Sequence, residues 1–248
     1  MINIKSVIEQ LDEFYSKNDT VNAEAYLDFW ISEAKSQNDD NALLSLANEG
    51  MGFYRKAGNA EKAVGFVRMA LDLIDKLNIS DTVPAATFFI NCATVYTAFS
   101  RFPEALSLFK KAEGIYNSKL DPKNELFGSL YNNMATDLLA LRRFEESENY
   151  FGRALDVIRS IPNSEPEQAV TMLNLANLAE AALGIEEGWE KIENYLDKAY
   201  LLLETPGIPK NGNYAFVCSK CAPVFDYYGR FAYAQELSER SKNIYERN

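Results

Sequence analysis

Apolar residues in this chain recur at intervals of three and four, the spacing of a helix with one buried face. In residues 1–40, Val7, Ile8, Leu11, Phe14 and Tyr15 form one such stripe, and Leu27, Trp30, Ile31 and Ala34 form another. From there the pattern repeats. Each unit begins with a helix that carries a small residue at its middle: Ala93, Ala135, Ala176 and Ala222, with Met51 as the exception. A turn follows, as in Gly58-Asn59-Ala60, Ser100-Arg101-Phe102, Arg142-Arg143-Phe144 and Gly229-Arg230-Phe231. The second helix then shows Ala-x3-apolar-x2-Ala, seen in Ala63/Val67/Ala70, Ala105/Phe109/Ala112 and Ser147/Phe151/Ala154. Ile192/Leu196/Ala199 and Ala234/Ser238/Ser241 are weaker copies.

The spacing from Ala63 to Ala105 and from Ala105 to Ser147 is 42 residues, then 45 to Ile192 and 42 to Ala234. Extra residues in the turn Gly184-Ile185-Glu186-Glu187-Gly188 are expected to account for the longer step. Antiparallel helices approach closely only where side chains are small, so alanine belongs at the crossing. Aromatics such as Phe102, Phe109, Phe144 and Phe151 fill the volume beside it. One helix pair cannot cover its own apolar face, so the pairs must stack.

Thr82-Val83-Pro84 and Ser164-Glu165-Pro166-Glu167 read as helix starts, the second with the spacing of a capping box. Asp121-Pro122-Lys123-Asn124 and Pro206-Gly207-Ile208-Pro209 read as links between pairs. The expected organisation is one continuous domain. Residues 1–40 form a degenerate N-terminal pair that acts as a cap. Five repeats follow at about 41–79, 83–120, 124–161, 165–205 and 212–248. A C-terminal capping helix is not expected, because the chain stops inside the last second helix.

Composition removes several functions. The chain has 248 residues, 47% hydrophobic, with a formal net charge of −11. An acidic surface repels phosphate backbones and anionic lipids, so neither nucleic acid nor a membrane is expected as a partner. No apolar run approaches the roughly 18 residues of a membrane span. Three cysteines suggest no disulfide framework and a reducing, cytoplasmic setting. Histidine is absent, which removes the usual general base and the commonest metal ligand. Cys218-Ser219-Lys220-Cys221 falls inside a predicted helix, where two buried thiols are the simpler reading than a redox motif. No metal, cofactor or catalytic set is expected, and the chain is not read as an enzyme.

The repeat resembles the tetratricopeptide repeat (TPR) family over nearly the whole chain. Its period is longer than the family's usual 34 or so. In this it is similar to the long-helix variety of kinesin light chains and bacterial peptide-sensing regulators, above all at Leu130-Tyr131-Asn132-Asn133-Met134-Ala135. The resemblance implies an all-α fold: a right-handed superhelical solenoid of about six antiparallel helix pairs, whose first helices line a concave groove.

Polar residues recur at matching positions on those first helices. Two before the central small residue stand Asn91, Asn133 and Asn174, with Lys220 in the fifth unit. One after it stand Thr94, Thr136 and Asn177, and Asn48 and Asn132 add further polar groups. Asparagine is unfavourable inside a helix, so three at one repeat position call for a reason. A carboxamide offers an acceptor and two donors, which suits it to an extended peptide backbone. The resemblance implies the same contact for Asn91, Asn133 and Asn174. The competing reading is that these amides bond to neighbouring helices or face water. Arg55 and Lys220 lie at opposite ends, so the carboxylate clamp of chaperone-tail binders is not expected. The functional expectation is a scaffold that holds a peptide or protein segment. The alternative is a self-assembling scaffold, a homodimer through its C-terminal helix.

Overall fold

Short acidic, amide and hydroxyl side chains start the early helices. Asp39 accepts from the backbone N–H of Ala42 at 3.1 Å, Asn59 from Lys62 at 3.1 Å and Thr82 from Ala85 at 3.2 Å. Each satisfies a donor that the first helical turn leaves open. In the computed structural model, which describes residues 2–246, the elements are α1 (Ile4–Ser16), α2 (Thr20–Ser36), α3 (Asp40–Lys56), α4 (Ala60–Lys76), α5 (Val83–Ala98) and α6 (Phe102–Lys119). They continue as α7 (Leu126–Ala140), α8 (Phe144–Ile158), α9 (Glu165–Leu183), α10 (Ile185–Leu203), α11 (Gly212–Tyr227) and α12 (Phe231–Tyr245). Met1, at the start of the expected N-terminal cap, and Arg247 and Asn248, at the end of the last expected repeat, lie outside the described residues.

The helices pair in sequence order, α1 with α2 through α11 with α12. The pairs fall into two compact units, one ending at Leu120 and one beginning at Asp121. Each unit is a stack of three pairs. Within the first, α1, α3 and α5 contact one another in series; within the second, α7, α9 and α11 do so. The second helices of successive pairs do not approach as closely. The first helices therefore form the inner layer of each stack.

The small central residues Ala93, Ala135 and Ala176 are fully buried, as are Ala63, Ala105 and Ser147 on the facing helices. Ser147 meets the cost of a buried hydroxyl by donating to the carbonyl of Ala135 at 2.8 Å. Phe89, Phe109, Phe127, Phe151 and Phe225 fill the space beside the crossings. Each such ring contributes roughly 2–3 kcal/mol by leaving water. Met51 ceases to be an exception once the facing helix is seen. Gly50 supplies the close approach one position earlier, beneath the ring of Phe66.

The turns within pairs use one left-handed residue. It is Asn18, Gly58, Ser100, Arg142, Gly184 or Gly229 in the six pairs. Two local expectations change. Residues 185–188 are the first turn of α10 rather than extra loop, and the longer repeat is taken up by two 19-residue helices. Gly188 permits this, since a Cβ there would sit 3.2 Å from the carbonyl oxygen of Ala179. Ser164 forms no capping box: its hydroxyl donates backwards to the carbonyl of Ile158 at 2.6 Å.

Candidate functional site

In the second unit the inner layer carries most of the polar residues that the sequence singles out. Asn132 on α7 and Thr171 on α9 tie the two helices together. The Asn132 amide donates to the Thr171 hydroxyl at 3.0 Å, and that hydroxyl lies 3.1 Å from Asn132 Oδ1. Asn133, one residue on, and Asn174, at the matching place on α9, are half-buried. Neither carboxamide bonds another side chain or backbone group among the described residues. The acceptor and two donors of each are therefore not used by bonds within the described residues.

Beside Asn133 opens a cavity of about 630 Å³, walled also by Ser129, Glu167, Val170 and Phe216. Phe216 is 52% exposed, a large ring on the wall of the same cavity as Asn133. Asn213 on α11 donates to Glu167 Oε1 at 2.6 Å, while Glu167 Oε2 is buried without a partner. Thr171, Glu167, Asn213 and Phe216 had no signal in the repeat pattern. They stand outside its matched positions and meet only when α7, α9 and α11 stack.

Farther along the same layer, Asn177 is engaged. The Tyr228 hydroxyl lies 3.1 Å from Asn177 Oδ1 and 2.7 Å from Glu180 Oε2, and the Tyr227 hydroxyl donates to Glu180 Oε1 at 2.6 Å. Burial and then the Glu180 carboxylate push the Tyr228 phenol well above its ordinary value, so it stays a donor. Thr136 is exposed and bonds back to its own helix, to the carbonyl of Asn132 at 2.9 Å. Lys220 is exposed, its ammonium 5.4 Å from the centre of the Phe216 ring.

In the first unit the matched position behaves differently. Asn91 on α5 donates its amide to Asn48 Oδ1 on α3 at 2.8 Å. Asn48 in turn points its amide at Glu49 Oε1, 3.5 Å away. Thr94 bonds back to the carbonyl of Asn91 at 2.8 Å. The structure thus brings Asn48 to Asn91, and Asn132 beside Asn133. It leaves free amides only at Asn133 and Asn174 of the three matched positions.

The three thiols, Cys92, Cys218 and Cys221, are buried and unbridged. Burial pushes that of Cys92 up to about 12, which makes it a packing residue and not a nucleophile. Among the described residues there is no cluster of three or more ligating side chains that could hold a metal. Nor is any described helix long and apolar enough to cross a membrane.

Residues 126–187, which span α7 to the start of α10, match the family model for the tetratricopeptide repeat. The fold is that of the tetratricopeptide repeat. Solved structures of similar fold include a kinesin light chain-related protein of Podosopora anserina with nearly identical TPR-like repeats. It is 17% identical, with a TM-score of 0.55 over 80% of this chain and 92% of that one. BtubC (BKLC) from P. vanneervenii is 18% identical, with a TM-score of 0.53 over 97% and 89%. PilW, a widely conserved type IV pilus biogenesis factor, is 15% identical, with a TM-score of 0.60 over 99% and 94%. No curated protein matches the sequence. At these identities the likeness is one of fold. The tetratricopeptide repeat accounts for the alanine crossings and the inner layer of first helices, and leaves the polar side chains on that layer to argue function.

Proposed function

We propose that the chain is a binding scaffold whose second unit holds an extended polypeptide segment along α7, α9 and α11. The observation that carries this reading is the pair of unpartnered amides, Asn133 and Asn174, at matched positions on neighbouring first helices. An extended backbone presents N–H and C=O groups in alternation, and each carboxamide can serve both. The cavity beside Asn133, with the exposed Phe216 ring and Val170, takes an apolar side chain of the segment. Lys220, Asn132, Asn177 and Thr136 frame the face, whereas in the first unit Asn91 and Asn48 tie α5 to α3 and Thr94 bonds back to its own helix. The reading is one of binding without turnover: the chain has no histidine and its thiols are buried. The reducing, cytoplasmic setting expected for free thiols belongs to the same reading.

The test is a peptide selected from a random displayed library on the full chain, then titrated by fluorescence anisotropy. Asn133→Ala with Asn174→Ala is expected to weaken it by about tenfold or more, at roughly 1 kcal/mol per lost hydrogen bond. Helical circular dichroism should not change. Undiminished affinity in the double variant would discard the reading.

A second reading, assembly of two copies through the last pair, has its own observation. Ser238 stands where earlier repeats place Val67, Phe109, Phe151 and Leu196, and a cavity of about 640 Å³ opens there beside Ala222, Pro223 and Phe231. Phe231 is 66% exposed. Light scattering at rising concentration tests it: a constant monomer mass ends this alternative.

A further inference from the structure

We propose that the first unit carries a separate site for an organic cation, an arginine or lysine side chain or a small molecule of the same chemistry, in the cavity between α1 and α3. The cavity holds about 400 Å³, and its walls combine Tyr15 and Phe53 with the carboxylates of Asp12 and Glu49. The two rings stack with centroids 5.6 Å apart and planes 21° from parallel, giving a flat apolar wall. The phenol oxygen of Tyr15 is buried without a hydrogen-bond partner. That oxygen accepts as well as donates, and both carboxylates are acceptors when ionised. A cationic donor can therefore serve the phenol oxygen and both carboxylates at once.

Charge points the same way. The ionisable walls are Asp12, Glu49, Lys56 and Tyr15. Lys56 is exposed and leaves the two carboxylates incompletely balanced. Burial raises the Glu49 carboxyl above its ordinary value; the Asn48 amide works against this and Asp12 adds to it. An incoming cation offsets the cost of burying the Glu49 carboxylate and its repulsion from Asp12. A cation on an apolar stem also fits walls that are partly aromatic.

The glycine in the wall is informative. Gly52 lies inside α3, where glycine is unfavourable, yet a Cβ built on it meets no atom within 4 Å. Packing between the helices does not demand its smallness; it keeps the cavity open. Asn91 donates to Asn48, whose own amide lies 3.5 Å from Glu49 Oε1 in the cavity wall.

This site does not depend on the peptide-binding reading of the second unit. Its test is calorimetry on the full chain with a short Ser/Ala peptide bearing one central arginine, the same peptide with citrulline, and n-butylguanidinium. The arginine peptide is expected to bind about tenfold or more tightly than its citrulline twin, the effect of a charge-assisted hydrogen bond. Gly52→Leu, which fills the cavity, and Glu49→Gln, which removes its charge, should each abolish that preference. Asn133→Ala with Asn174→Ala should leave it intact, so failure of one site is distinguishable from failure of the other. Saturable binding of n-butylguanidinium that both cavity variants remove would identify a free small cation as a ligand. Binding of the arginine peptide alone would identify a side chain on a partner. Equal affinity for arginine and citrulline, or a preference that survives both cavity variants with thermal melts unchanged, overturns the proposal.

Discussion

Gly50 lies beneath the ring of Phe66, so close that a Cβ built on the glycine would stand 2.7 Å from two ring carbons. The contact joins α3 to α4 and replaces the alanine crossing of later repeats. Gly50→Ala should therefore destabilise the protein by about 1–3 kcal/mol although alanine is the better helix former. Gly65→Ala, in α4 with open space around it, should stabilise by roughly 0.5–1 kcal/mol. Urea unfolding of the two variants checks the pair, and the opposite signs are the point of the comparison.

Ser100 is held at φ 58° in the turn between α5 and α6. Gly58 and Gly229 occupy the same place in their pairs with φ of 70° and 81°. The left-handed region costs a residue with a Cβ about 1 kcal/mol or more. Ser100→Gly is expected to raise stability by roughly 0.5–1 kcal/mol, visible as a later denaturation midpoint with unchanged slope.

The Asn91 amide is engaged at 2.8 Å, while that of Asn133 at the matching repeat position is free. Replacing each by alanine separates the two roles. Asn91→Ala should cost about 1 kcal/mol or more, since it removes one hydrogen bond and leaves the half-buried oxygen of Asn48 without its donor. Asn133→Ala should cost close to nothing in the absence of a partner. Equal losses would show that the two amides carry the same structural load.

Glu204, at the end of α10, is gripped by α12. Arg240 reaches its two oxygens at 2.6 and 3.1 Å, and the Tyr233 hydroxyl donates to it at 2.6 Å. Arg240 is the main cause that holds this carboxyl below its ordinary value of 4.5, and burial opposes it. A lowered folded-state value means that the stabilisation is complete above the unfolded value and fades as pH falls through the folded one. Glu204→Gln should thus lose about 2 kcal/mol near neutrality, the scale of hydrogen bonds to a charged group. The gap from the parent should close as pH falls below 4.5 and through the lowered folded-state value, where the parent protonates as well. Urea titrations at several pH values measure it.

The repeat was legible because its cause is local: an alanine every forty-odd residues, an aromatic beside it, and a short turn between the helices of each pair. Features that depend on the facing helix were less visible. Gly50 replaces Met51 as the crossing residue because of Phe66 on α4. Ser164 prefers the carbonyl of Ile158 to the open end of its own helix. The matched asparagines looked equivalent in sequence, yet the bond that engages Asn91 reaches Asn48, 43 residues away. The Tyr15, Glu49 and Gly52 cavity gave no signal as a site: Glu49 and Gly52 stand at the repeat positions of Asn91 and Thr94 but carry different side chains, and they line one cavity with Tyr15 only when α1 lies against α3.

The central claim concerns the side-chain amides of Asn133 and Asn174, and nuclear magnetic resonance observes those groups directly. With asparagine-selective 15N labelling, a selected peptide is titrated into the full chain while the NH2 resonances are followed. Those of Asn133 and Asn174 should shift and saturate with the binding curve, and those of Asn48 and Asn91 should stay in place. A peptide that binds and saturates without moving the Asn133 and Asn174 resonances would contradict the account.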